Sequence, residues 1–167
     1  MHVGTGASIA FWIMAVVAVV SASGVILLKD IFRAALLLVV SFLSIAGLFV
    51  TLNADFIAAV QVLIYAGAIS ILLIFAILLT RDVQEGNPSN RLKIPGMFIG
   101  AVLLTALIVV FVNTEWRLST EAPLDSTTAA LADLLFSNKF VLAFEIASVL
   151  LLAAMIGAVV LARGEDE

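Results

Sequence analysis

The sequence predicts an all-α integral membrane protein with five transmembrane helices. Its N-terminus is expected outside, its C-terminus inside, and its third helix is a candidate for a π-bulge. Three observations carry this reading. The first is composition: 64% of 167 residues are hydrophobic, 12% are charged, and the mean hydropathy is +1.28. A soluble domain is about half apolar and about a quarter charged. This excess excludes a soluble enzyme domain and a disordered chain. The second is five apolar stretches of the roughly 20 residues that a spanning helix needs. The third is an uneven distribution of Lys and Arg over the breaks between them.

The stretches are Ser8–Leu28, Ala34–Leu52, Phe56–Thr80, Gly96–Asn113 and Phe140–Ala162. They hold about two thirds of the chain, so residues 1–167 read as a single membrane domain. Lys29 to Arg33 forms the first break. Asn53-Ala54-Asp55 is the second, and its shortness forces spans two and three into an antiparallel hairpin. The third break, 81–95, carries the turn formers Gly86, Asn87, Pro88 and Asn90. The fourth, 114–139, is the outer loop. In it Ser126-Thr127-Thr128 precedes an apolar pattern from Ala129 to Phe136, which predicts a short surface helix with a Ser or Thr cap. Span three is 25 residues long. At about 1.5 Å per residue it exceeds a hydrocarbon core of roughly 30 Å. It must tilt, protrude or wind irregularly.

Lys29, Arg33, Arg81, Arg91, Lys93 and Arg163 fall on one side of such a bundle, and only Arg117 and Lys139 on the other. Positive residues stay in the cytoplasm, which sets the expected orientation. Ser21-Ala22-Ser23 resembles a cleavage site, but Met1–Ala7 carries no Lys or Arg, so a retained first helix is expected rather than a signal peptide. The net charge of -4 argues against nucleic-acid binding. With no cysteine and with His2 the sole histidine, iron–sulfur ligation, bis-His haem and an HExxH zinc site are excluded within this chain. No nucleophile–base pair and no phosphate loop is recognisable.

Polar residues inside the spans are the informative ones. Glu145 is the one strongly ionisable group well inside a span, roughly 8 Å from the outer end by helix rise. A charged carboxylate at mid-membrane costs on the order of 3 kcal/mol, less near an end. Two readings stand: a proton-path carboxylate, or an interfacial Glu bonded to a neighbouring helix. Ser148 lies on its face and suits either. Span three carries Gln61, Tyr65 and Ser70 among Ala58, Ala59, Ala66, Gly67 and Ala68. Gln61 and Tyr65 are four apart and share a face. Tyr65 falls near mid-span, where a phenol needs a partner, and Gly67 weakens the helix beside it. Either this is a packing face with a satisfied tyrosine, or it is an adaptable segment beside a water or proton path, which a π-bulge would serve. Asp55 is placed to cap the third helix. Gly96 and Gly100 form a modest packing motif after Pro95.

The run Gln61-Val62-Leu63-Ile64-Tyr65-Ala66-Gly67-Ala68-Ile69-Ser70, within Leu52–Thr80, closely resembles the third-helix segment of one membrane chain of the complex I family. That chain is chain J of bacterial NADH-quinone oxidoreductase and subunit 6 of the mitochondrial enzyme, with an equivalent in plastid-type complexes. Phe144-Glu145-Ile146-Ala147-Ser148-Val149, within Phe144–Arg163, looks like the same chain's last helix. The two runs cover a little under a third of the sequence. The resemblance implies a core subunit of a proton-pumping NADH (or related donor)–quinone oxidoreductase in the cell inner (cytoplasmic) membrane, without a cofactor of its own. FMN or another donor cofactor, iron–sulfur clusters and quinone would reside in partner subunits. It implies as neighbours a quinone-proximal subunit, antiporter-like subunits and a small three-helix subunit. It also implies a gating third helix that changes between α and π forms, with Tyr65 and Gly67 at the matching positions, and it matches Glu145 to the last helix's carboxylate. Two alternatives stay open on the residues alone: a subunit of a multisubunit cation/proton antiporter, and a purely structural membrane scaffold.

Overall fold

The computed structural model describes residues 5–80, 92–116 and 127–163. Helices dominate them, and no strand occurs among them. The chain divides into two compact units, Met1–Pro123 and Leu124–Glu167. Five helices are long and apolar enough to cross a membrane.

In the first unit, α1 is Thr5–Leu27 and α2 is Ile31–Thr51. The third span, Asp55–Leu79, consists of α3 (Asp55–Val60), a π-helical segment (Gln61–Ile69) and α4 (Ser70–Leu79). Helix α5 is Lys93–Asn113. The second unit holds α6 (Thr127–Leu135) and α7 (Val141–Ala162). The surface helix expected in the outer loop is α6; Ser126, offered as its cap, lies outside the described residues, as do Arg81, Arg91 and Arg117 of the charge count. Span ends shift by up to three residues from the apolar limits, because a helix runs on until something caps it rather than until hydropathy falls.

The first break shows this. Ile31 to Arg33 were expected in the link but form the first turn of α2. Asp30 is the cap: its carboxylate accepts the Arg33 amide at 3.2 Å, and the Arg33 side chain pairs with it at 3.2 Å. Both side chains are largely exposed, so the ion pair itself adds little.

The second break is tighter than a loop. Asn53 adopts a left-handed φ of 57°. The Ala54 amide donates to the Phe49 carbonyl at 2.9 Å, and the Asn53 amide to the Val50 carbonyl at 3.1 Å. This is a Schellman closure with Asn in the left-handed position. Ala54 therefore ends α2 and also occupies the cap position of α3, where no side-chain bond is made. Asp55 is not the N-cap expected from the sequence. The closure pushes it one place inward, to the first turn of α3, where its carboxylate acts on the helix dipole by charge alone.

Helix α2 packs against α1 on one side and against the third span on the other. Among the described residues, the buried hydrophobic ones are all alanines: Ala35, Ala46 and Ala58. Large apolar side chains point outward. Lipid is as apolar as leucine, so helix association rests on close backbone approach rather than on hiding large residues. Gly24 meets Leu37 and Gly47 meets Met14; a Cβ at Gly24 would lie 2.5 Å from Leu37 Cδ1, and one at Gly47 2.8 Å from Met14 Sδ. Two buried serines of this seam turn inward on their own helices: Ser21 Oγ donates to the Val17 carbonyl at 2.7 Å, and Ser44 Oγ to that of Val40 at 2.8 Å. In the second unit, the rings of Phe136 and Phe144 meet edge to face at 4.9 Å and join the end of α6 to the start of α7.

The turn makes a prediction. Asn53→Val forces a β-branched residue into the left-handed region and should destabilise the detergent-extracted protein by roughly 1–2 kcal/mol, while Asn53→Gly should not. Unfolding titrations in mixed detergent would measure the difference.

Candidate functional site

Nine consecutive residues, Gln61–Ile69, wind as a π-helix in the middle of the third span. Longer π runs are rare in proteins, and single π turns cluster at functional sites. The segment contains no proline, so no missing amide explains it. Its own residues and its neighbour α2 account for it instead.

The amide of Ser70, just past the segment, is divided between the carbonyls of Gly67 and Tyr65. The Ser70 hydroxyl also donates to the Tyr65 carbonyl, at 2.8 Å. Within the segment, Gly67 lies close to the Val62 carbonyl: a Cβ added there would stand 3.2 Å from that oxygen. Even favourable carbon–oxygen contacts in proteins are about 3.3–3.6 Å. The absence of a side chain at 67 thus suits the wide winding.

Against α2, Phe42 serves two residues of the segment. Its ring meets that of Tyr65 edge to face, with centroids 5.5 Å apart and planes at 69°. Its carbonyl lies 3.5 Å from Gln61 Nε2, at the outer limit of a hydrogen bond. Gln61 is buried, whereas Tyr65 is 44% exposed. No hydrogen bond reaches the Tyr65 hydroxyl among the described residues, so the phenol expected to need a partner at mid-span has none within them. Gln61, Tyr65, Gly67 and Ser70 therefore belong to one continuous stretch against α2. Phe42 is the member that the sequence reading does not name. The signal was available: a hairpin closing on Asn53 and Ala54 sets position 42 across from position 65.

Glu145 lies on α7, in the second unit, and is exposed. Among the described residues no hydrogen bond or ion pair reaches its carboxylate. Ser148 does not support it, because its hydroxyl donates to the Phe144 carbonyl of its own helix at 3.0 Å.

Comparison with known proteins adds a separate line. Residues 21–161 match the family NADH-ubiquinone/plastoquinone oxidoreductase chain 6. The chain is similar to NAD(P)H-quinone oxidoreductase chain 6 of Leptolyngbya boryana, with 41% identity over 99% of this chain and 84% of the relative. It is similar to the chain 6 of a Synechocystis strain, with 40% identity over 93% of this chain and 80% of the relative. It is also similar to F(420)H(2) dehydrogenase subunit J of Methanosarcina mazei, with 37% identity over 93% of this chain and 90% of the relative.

Gly67→Ala tests the winding. The new methyl crowds the Val62 carbonyl in the π form, and alanine favours a regular helix by roughly 1 kcal/mol over glycine. Both effects act in one direction. A high-resolution cryo-EM map of the variant in its native assembly should show 61–69 in α register; an unchanged π segment would show that the Val62 carbonyl yields.

Proposed function

The chain belongs to the NADH-ubiquinone/plastoquinone oxidoreductase chain 6 family, and from that premise we propose that its third span is the gate that couples quinone reduction to proton translocation. The protein is a multi-pass membrane subunit of a proton-pumping complex I-type quinone oxidoreductase, and the other subunits of that complex are its partners. Family membership displaces the antiporter alternative. Its part in the enzyme is not a chemical step but a conformational one.

The observation that carries the gating reading is the nine-residue π segment with Tyr65 and Gly67 inside it. A π turn holds one more residue between hydrogen-bonded groups than an α turn. Passing between the two registers turns everything beyond the segment by up to about 100°, one residue's rotation on a helix. Both registers satisfy the backbone, so they can lie within a few kcal/mol of each other, a gap that contacts with a neighbouring subunit can reverse. The rotation would exchange the small residues Ala66, Gly67 and Ala68 for the larger side chains that flank them, and so open or close a narrow hydrated path. The Tyr65 hydroxyl, unbonded within the described chain and half-exposed, is the group that would order water or meet a neighbouring subunit there. Glu145, on α7 of the second unit, is read by itself as a proton-path carboxylate.

The finer assignments belong to the same proposal. The neighbours are a quinone-proximal subunit, antiporter-like subunits and a small three-helix subunit. FMN or another donor cofactor, the iron–sulfur clusters and the quinone site reside in partners. The host is the cell inner (cytoplasmic) membrane, with the N-terminus out and the chain acting as one membrane domain. The names of the relatives differ in donor, NAD(P)H for some and F(420)H(2) for another, which fits a donor set by subunits other than this one.

Two outcomes separate a gate from a scaffold. Tyr65→Phe should keep the complex assembled and lower proton pumping per electron several-fold, read by proton uptake in vesicles against quinone reduction; full pumping would favour the scaffold. Glu145→Gln keeps shape and removes the charge. It should likewise lower pumping while quinone reduction persists, whereas an interfacial Glu predicts loss of assembly on native gels or no effect.

A further inference from the structure

The geometry points to the Ser70 hydroxyl as the positioning group that holds Gln61–Ile69 in its wide register, by giving the Tyr65 carbonyl a bond that the regular register does not need. Ser70 is 2% exposed, less than any other buried residue among those described. No lipid or bulk water competes for its hydroxyl, and a buried polar group must find its bond within the protein. It finds it five residues back, on Tyr65, at 2.8 Å.

In the regular helices, Ser23 reaches four residues back to Val19, Ser44 to Val40, Thr105 to Ala101 and Ser148 to Phe144, while Thr51 reaches three back to Leu48 and Ser21 both four and three back. A reach of five, as at Ser70, goes with the wider turn. At Ser70 the bond does more than mark that turn. The Ser70 amide is shared between Gly67 and Tyr65, so the amide alone serves the Tyr65 carbonyl incompletely, and the hydroxyl completes it. In an α register the Ser70 amide would serve Ala66 undivided, the Ile69 amide would serve Tyr65, and the hydroxyl would be a redundant second partner on a carbonyl already served by a full amide bond. Its removal thus weakens the π form more than the α form. Gln61 sits at the opposite end of the segment, buried against the Phe42 carbonyl. The register change is confined between these two polar residues.

The effect on register stands on the geometry; its consequence for pumping rests on the gating reading above. The test uses the whole complex, purified with Ser70→Ala and imaged by cryo-EM in resting and turnover states, with particles sorted by the register of 61–69. A net hydrogen bond of ordinary strength predicts about a fivefold fall in the π-to-α ratio. Ser44→Ala, which removes another buried hydroxyl from a regular turn, should leave the ratio unchanged. Ser70→Thr, which keeps the hydroxyl, should hold the π form. Should Ser70→Ala not assemble, Ser70→Cys, a weak donor, takes its place with the same expectation. An unchanged ratio in the alanine or cysteine variant overturns the proposal, and so does an equal shift in Ser44→Ala. Pumping measured on the same samples separates the two ideas. A shifted register with full pumping removes the gate and leaves the Ser70 role; an unshifted register, with Tyr65→Phe still uncoupled, removes the Ser70 role and leaves the gate.

Discussion

The constraint behind this structure is that a backbone in lipid has no water to bond. Every amide and carbonyl must be answered within the protein, and a helix does so by itself. That accounts for the five long helices and for the direction in which the buried serines point. Ser21 and Ser44 face a neighbouring helix, yet each donates its proton to a carbonyl of its own. The same constraint permits the π segment. A wider register is still a bonded register, whereas an unwound turn in that position would leave several groups unanswered. The middle of the third span can depart from α geometry because the departure keeps its bonds, with Ser70 completing the last of them.

Packing follows from the same solvent. Among the described residues, those removed from lipid are alanines, serines and Gln61, and the apolar bulk faces outward. Gly24 and Gly47 bring α1 and α2 together near opposite ends of their contact, and Ala58 lets α3 lie close on α2. This arrangement tolerates motion. Close contacts between small residues fix the distance between two helices without interlocking them. A helix rotating about its own axis then disturbs fewer contacts than it would in a core of interdigitated leucines.

How legible was this from the residues? The spans were plain, because twenty apolar residues in a row have few other physical meanings. Their ends were less so, since capping chemistry decides them. Asp30 and Asp55 look equally suited to cap a helix. Asp30 does it, and Asp55 does not, because the left-handed turn at Asn53 places Ala54 in the cap position. No local pattern announces that competition. An irregular third helix was visible in its length and in Gly67, and the π winding fills that expectation. Its limits were not visible, because they depend on the Phe42 carbonyl and on the carbonyl that the Ser70 hydroxyl selects, both products of tertiary contact. Glu145 stood out by charge alone, and the hydroxyl of Ser148, on its face, is taken up within α7.

The closure at Asn53 has a mechanical consequence. It is short, bonded at two points and set by one left-handed residue, so it transmits torsion poorly and holds α3 fast to α2. A twist arising in Gln61–Ile69 cannot be shared equally between the two ends of the span. Under the proposed register change, the hairpin end would act as a stator and α4 as a rotor, and the displacement would be delivered toward the side of the membrane where α4 ends, away from the turn. Such one-sided delivery would give a symmetric-looking rod a direction.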